Sequence, residues 1–250
     1  MGGLAEPYFV AVTGLAFEAR IVAGPGVTVI CGGGGPLHLK KALETALRQG
    51  CRGILSFGIA GGLAPHLKPG ACIVARDIIS DHGRYSSHTD WAQSLMDMMR
   101  EAADHRTTPR RAVLRDISFG DIAGSDVPLA TTRAKRTLHE RTGAVAVDME
   151  SHVAARIAHE NRVPFAAFRV ITDPSNRALP PAALVATSPQ GTVDVRAVIR
   201  SLIRHPKQVP TLFRVALDSW AARQALVPSR RFLGPNLGLP DMRQHLLDVA

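Results

Sequence analysis

"AVDMESHVAARIAHENRVPFAAFRVITDPSN", residues 146–176, decides how the rest of this chain is read. After Pro164 the run "FAAFRVIT" has almost no polar break, as expected for a central strand covered on both faces. Before it, the residues from Glu150 onward have helical spacing. Val153, Ala154 and Ile157 share a face with Glu150, while His152, Arg156, His159 and Glu160 fall opposite. A helix followed by a buried strand points to an α/β fold. Yet Glu150, Arg169 and Asp173 stand inside this apolar stretch. A buried guanidinium is costly unless paired, so Arg169 must meet a carboxylate or a polar ligand. Asp173 has the same strand parity roughly 13 Å further on, at the carboxyl end of the strand, where open α/β sheets gather ligands. Read alone, Glu150 is a first-turn partner for the helix dipole, and Asp173 is a cap for the "DPSN" turn.

Outward from this stretch, strand, helix and glycine turn alternate. "YFVAVTG" (8–14) and "GVTVICGGGG" (26–35) read as strands. "HLKKALETALRQG" (38–50) sets Leu39, Ala42, Leu43 and Leu47 on one helical face and stops at Gly50. "GILSFGIAGGL" (53–63), "ACIVARDIIS" (71–80) and "RAVLRDISFGDIAGS" (111–125) add strands. "WAQSLMDMMREAADH" (91–105) and "LATTRAKRTLHERTG" (129–143) add helices. The expectation is a single α/β domain over residues 1–178, with a central mixed, largely parallel twisted sheet flanked by helices. Residues 179–250 form a helical C-terminal extension, packed on that domain or facing a membrane. In it "DVRAVIRSLIRH" (194–205) puts Val195, Val198, Ile199, Leu202 and Ile203 on one face, with Arg196, Arg200 and Arg204 close by. A second basic amphipathic helix follows at about 211–225, and the last 25 residues, rich in Pro and Gly, are expected to wrap on the surface.

Composition narrows the classes. The 250 residues are 46% hydrophobic, enough for a sizeable core, and the formal charge of +9 suggests an acidic partner: nucleic acid, anionic lipid or a phosphorylated substrate. Aromatics are only 5%, too few for the stacking platforms of single-strand binding, and no nucleic-acid partner is expected. Cys31, Cys51 and Cys72 form no C-x-x-C and read as buried reduced thiols. No signal-peptide pattern and no run of 18 apolar residues is present, so a cytoplasmic chain, at most peripheral on the inner face of a membrane, is expected. "GIAGGL" is not a dinucleotide fingerprint, no "GK[ST]" marks a P-loop, and the His residues are scattered. No cofactor and no metal are expected.

Taken in order, "SFGIAGGL" (56–63), "VDME" (147–150) and "VPFAAFRVITD" (163–173) resemble the nucleoside phosphorylase and nucleosidase superfamily, most nearly its methylthioadenosine/S-adenosylhomocysteine nucleosidases. The likeness spans roughly residues 8–176. The segment "LPPAALVATSPQGTVDVRAVIRSLIRHPKQVP" resembles the hopanoid-biosynthesis branch, which acts on adenosylhopane, a triterpenoid joined to the 5′ carbon of adenosine. The resemblance implies cleavage of an N-glycosidic bond and assigns roles. Asp173 would protonate N7 of the leaving adenine, with burial beside the apolar strand raising its pKa. Met149 would pack on the ribose, and Glu150 would accept from its 2′ and 3′ hydroxyls. Arg169 would pair with carboxylates around the nucleophile.

Two reactions are open. Nucleosidases hold water with a Glu after the first strand, and "VTGLAFEA" aligns Glu18 to that role; alone, Glu18 is an ordinary first-turn helix residue. Phosphorylases bind phosphate through an Arg and a Ser around the central glycine motif, positions that read here as Ser56 and Ile59, near Gly61. Their loss as an anion pair favours water. "CGGGGP" (31–36) keeps phosphorolysis open, since successive backbone N–H groups cradle anions. Base recognition departs from the family's "SGDxFI": "GSDVPL" (124–129) keeps Asp126 and offers Leu129 for the purine edge, but Pro128 replaces the stacking Phe. The resemblance also implies a homodimer, and the partners expected are an adenosine-containing small molecule or lipid and an anionic membrane surface.

Overall fold

Period-two apolar runs and glycine punctuation become eight strands and eight helices among the residues the structure describes. This computed structural model describes residues 8–104, 114, 116–184, 195–205 and 208–240. In order they are β1 (Tyr8–Thr13), α1 (Ala16–Val22), β2 (Val27–Cys31), a short 3-10 turn (Gly32–Gly34), α2 (Pro36–Arg48), β3 (Cys51–Gly62), β4 (Cys72–Ser80), β5 (Gly83–Ser86), α3 (Thr89–Asp104), β6 (Ile117–Gly124), α4 (Thr132–Thr142), β7 (Ala146–Asp148), α5 (Ser151–Glu160), β8 (Phe165–Asp173), α6 (Pro181–Leu184), α7 (Val195–Arg204) and α8 (Val209–Phe232). Residues 111–113 and 115 of the stretch expected as a strand, the side chains of Val195, Arg196 and Leu202, and part of the linker before α7 lie outside the described residues.

The sheet is mixed and largely parallel, as expected. β1 lies parallel between β2 and β3, and β8 runs parallel to β3. The sequence did not disclose that five strands close on themselves: β3 pairs β8, β8 pairs β4, β4 pairs β6, β6 pairs β7, and β7 returns antiparallel to β3. β3 makes this circuit because its 12 residues outrun its partners. Its end places Gly61 opposite both Val147 of β7 and Asp173 of β8. Register alone thus brings residues more than a hundred positions apart to one end of the sheet. β5, pairing with β4 as an antiparallel edge, was not anticipated.

One face of the sheet is covered by α2 and α5, through Leu39, Leu43, Val153 and Ile157. The other buries Trp91, Leu95 and Met99 of α3 with Ala222, Ala225 and Leu226 of α8. The expectation that the last 25 residues wrap on the surface is corrected for residues 226–240, while residues 241–250 lie outside the described residues. α8 runs to Phe232, and Leu233, Leu237 and Leu239 beyond it are buried in the same cluster as Phe9. The Trp91 indole N–H donates to the Leu237 carbonyl at 2.9 Å, and Arg230 Nε donates to the Val22 carbonyl at 2.8 Å. Leucines spaced among Gly and Pro gave no helical or strand period, so their burial left no pattern to read.

Leu226 has no exposed surface. Leu226→Ala is expected to lower the unfolding free energy by about 2–5 kcal/mol in urea titration, whereas a surface-lying segment would show almost no change.

Candidate active site

Arg169 comes first, because its guanidinium is fully enclosed. Its Nε lies 2.6 Å from Asp148 Oδ2. Nη2 donates to Ser56 Oγ at 2.7 Å, to Ser151 Oγ at 3.2 Å and, more loosely, to Glu150 Oε2 at 3.5 Å. Burial alone would favour losing the proton, but the carboxylates of Asp148, Glu150 and Glu18 outweigh it and hold the group above its ordinary pKa. Asp148 is thus the principal partner, and sequence reading missed it. The signal was present in its place beside the quoted Met149–Glu150 pair. Asp148 also accepts from the Ser151 N–H at 3.0 Å, and so satisfies the first turn of α5, where Glu150 had been expected as a partner of the helix dipole.

Glu150 is the N-cap residue of α5 but makes no side-chain cap bond. Its carboxylate projects instead between two glycines: a Cβ added at Gly14 would stand 2.8 Å from Glu150 Oε1, and one at Gly32 would stand 2.7 Å from its Cγ. Burial raises the Glu150 carboxyl to about 8; Arg169 opposes this, while the nearby Asp148 and Glu18 carboxylates add to it. Glu18, 1% exposed, is fixed by three backbone donors: Ile59 N–H to Oε1 at 2.7 Å, and Gly14 and Leu15 N–H to Oε2 at 2.8 and 2.7 Å. Burial raises its carboxyl too, against the Arg169 charge and those hydrogen bonds. Glu18 and Arg169 close on Gly58 so tightly that a Cβ there would lie 2.6 Å from Glu18 Oε1 and 2.7 Å from Arg169 Nη1.

At the other end, Asp173 is 16% exposed at its side chain and sits 2.6 Å from Nζ of Lys135, a lysine with no exposed surface. The ammonium also donates to the carbonyls of Asp173, Pro174 and Arg177 at 3.2, 3.0 and 3.1 Å. Thr172 Oγ1 donates to Asp173 Oδ1 at 2.9 Å. The apolar surroundings expected for this carboxyl are therefore replaced by an ion pair. Lys135 had been read only as one cation of a basic helix over residues 129–143. The signal against that reading was its position three residues before Leu138, the apolar residue that seats α4.

These groups border one cavity of about 510 Å³, whose wall includes Glu18, Ile59, Gly61, Asp126, Leu129, Asp148, Met149, Glu150 and Asp173. Of the expected site residues, Ser56 and Arg169 do not reach that wall. Ser56 has no exposed surface and serves as a partner of Arg169 and Ser151, so its expected contact with substrate is corrected to a supporting one. Asp126 Oδ1 lies 2.9 Å from Nε2 of His152. His152, expected on the outer face of α5, is buried because Gly124 leaves room for its ring; a Cβ at Gly124 would come within 2.2 Å of His152 Cβ. No aromatic side chain borders the cavity among the described residues; with Pro128 there too, a planar base would lie between aliphatic walls. A second, more open cavity of about 620 Å³ shares the 126–129 loop but is edged by surface groups such as Asp81 and Arg141, with His152 at its base.

A family model described as the phosphorylase superfamily matches residues 4–204. No curated protein sequence matches the chain. Among solved structures, a variant of Helicobacter pylori 5′-methylthioadenosine/S-adenosylhomocysteine nucleosidase, with 5′-methylthioadenosine in its active site, aligns at TM-score 0.59 and 16% identity over 100% of both chains. Helicobacter pylori futalosine hydrolase aligns at TM-score 0.56 and 18% identity, over 79% of this chain and 97% of the other. The Campylobacter jejuni 5′-methylthioadenosine/S-adenosylhomocysteine nucleosidase gives 0.56 and 12%, over 90% and 99%. At these identities the likeness is one of fold.

The raised Glu150 carboxyl makes stability depend on pH. The folded chain holds a proton that the unfolded chain releases in the ordinary carboxylate range, so this contribution is complete below that range and is lost as pH rises towards about 8. Thermal melts from pH 5 to pH 9 should therefore fall with pH, and Glu150→Gln should flatten the slope; parallel slopes would contradict the assignment.

Proposed function

The chain belongs to the phosphorylase superfamily, and on that premise we propose that it hydrolyses the N-glycosidic bond of a 5′-substituted adenosine and releases adenine. One observation carries the choice of water over phosphate. The cavity wall holds Glu18, Asp126, Asp148, Glu150 and Asp173 but, among the described residues, no Lys, Arg or His. A phosphate dianion would enter against carboxylates, with the buried Arg169 already matched by its own acids. Water meets no such barrier. The glycine loop at 32–35, which had left phosphorolysis open, also has a simpler explanation, since Gly32 clears space for Glu150.

In this reading Glu18 takes a proton from water, whose oxygen bonds to C1′ as the bond to N9 breaks. The bond's electron pair passes to the purine, and N7 takes a proton that passes from the Lys135 ammonium through Asp173. Lys135 holds Asp173 in place at the base end. Glu150 accepts from the ribose hydroxyls, Met149 packs on the sugar, and Leu129 offers its backbone to the purine edge. A carboxyl raised by burial suits Glu18 to the task of a base near neutral pH.

The same proposal extends to the substrate. Leu15, Pro36, Leu39, Leu179 and Ala183 give the cavity an apolar wall, which supports a large hydrocarbon on the 5′ carbon. Adenosylhopane, giving adenine and ribosylhopane in hopanoid biosynthesis, is the compound that the C-terminal resemblance favours. A homodimer belongs to this reading as well, with the exposed Leu37 and Val127 near the cavity available to a second copy.

Adenine release should run to completion in phosphate-free buffer, and a strict requirement for phosphate would replace hydrolysis with phosphorolysis. Adenosylhopane and methylthioadenosine offered in parallel, with mass analysis of the sugar product, test the 5′ group. Asp173→Asn should slow adenine release by about 100-fold or more. Lys135→Met should slow adenine release yet spare a 4-nitrophenyl riboside, whose leaving group departs without a proton. Equal loss on both substrates would reduce Lys135 to a structural tie.

A further inference from the structure

Helix α8 leaves Val209, Phe213, Leu217 and Trp220 at 51%, 66%, 50% and 62% exposure. Steps of four, four and three residues put all four on one face. On α7, Ile199 and Ile203 are 51% and 76% exposed one turn apart. Cations edge this apolar surface: Arg200 and Arg204 are exposed on α7, and Arg214 and Arg223 on α8. At 100° per residue, Arg214 and Arg223 fall on opposite sides of the stripe. The one acid of α8, Asp218, is already tied to Arg177. Each helix therefore presents an exposed apolar face with arginines beside it.

We propose that the α7–α8 face docks on an anionic lipid bilayer, with α8 lying in the plane of the interface. An apolar stripe between arginines, carrying a tryptophan, is the pattern of a helix that sinks its apolar side to the headgroup boundary. Charge decides against a second copy on this face: a two-fold contact would bring the same arginines against one another. Lipid phosphates would neutralise them. The face also lies close to the cavity, since α6 packs against α7 and α8 while its Ala183 forms part of the cavity wall. A bilayer-held hydrocarbon would then have a short path to the site. That last step rests on the proposed function, whereas docking itself is read without substrate and stands or falls separately.

The chain contains two tryptophans; Trp91 is wholly buried and Trp220 is exposed, so a vesicle-induced change in emission reports on α8. The full chain, mixed with phosphatidylcholine vesicles containing phosphatidylglycerol, should shift its emission to the blue and co-sediment, with binding weakened by salt. Pure phosphatidylcholine should give little of either. Phe213→Glu with Leu217→Glu should abolish both signals, and Arg200→Glu, Arg204→Glu and Arg214→Glu together should cut partitioning by at least about tenfold. Both variants should keep wild-type turnover of methylthioadenosine, if the chain accepts it, and wild-type melting in any case. Absence of emission shift and co-sedimentation with the anionic vesicles would overturn the proposal. So would light scattering in which Phe213→Glu with Leu217→Glu splits a dimer while vesicle binding persists, since that would assign the face to a second copy.

Discussion

A positive charge with no access to water must be matched by its own protein, and Arg169 imposes that condition on the whole site. The residue stands in β8, but its answering groups come from elsewhere: Asp148 at the end of β7, Glu150 and Ser151 at the start of α5, and Ser56 in β3. The guanidinium therefore fixes where three elements meet. It also fixes how many carboxylates the region tolerates. Asp148, Glu150 and Glu18 all act on one cation, and burial, which the Arg169 charge only partly offsets, leaves Glu18 and Glu150 holding protons more firmly than exposed carboxyls do. The chemistry suggested for the cavity grows from that imbalance.

Crowding these side chains at one end of a sheet requires space, and glycine supplies it. Gly58 is pressed by Glu18 and Arg169, Gly14 and Gly32 by Glu150, and Gly124 by His152; at each a single carbon would come within 2.8 Å of a neighbour. Gly61 is looser, since its added Cβ would approach the Asp173 oxygens at 3.3–3.4 Å, a contact that small shifts could relieve. Gly32, Gly58 and Gly61 thus make room for charged groups brought in from distant parts of the chain.

Much of this was legible in the sequence, for definite reasons. Glu150, Arg169 and Asp173 stood out because they interrupt apolar periodicity, and the same periodicity disclosed the strands that carry them. The family resemblance added Glu18, Met149 and the 126–129 loop. What stayed hidden depends on pairing across distance. Lys135 looked like one more cation in a basic helix, since nothing local tells a lysine facing water from one facing the carbonyls of residues 173–177. Asp148 was obscured by its neighbours Met149 and Glu150. The closed circuit of five strands depends on β3 outrunning its partners, and strand length is what sequence patterns define least well. His152 was put on the wrong side of α5 because that helix is covered along a second edge, where Gly124 admits the ring.

The clasp between Trp91 and Leu237 bears on the order in which this protein is made. Phe9 of the first strand, Trp91 and Leu237 belong to one buried cluster. A ribosome delivers the first two long before the third, so the nascent chain carries an open apolar groove along α3 until its distal residues emerge. Acquisition of this domain is therefore a late event in translation, and during that interval the groove is where a holding chaperone would find its grip.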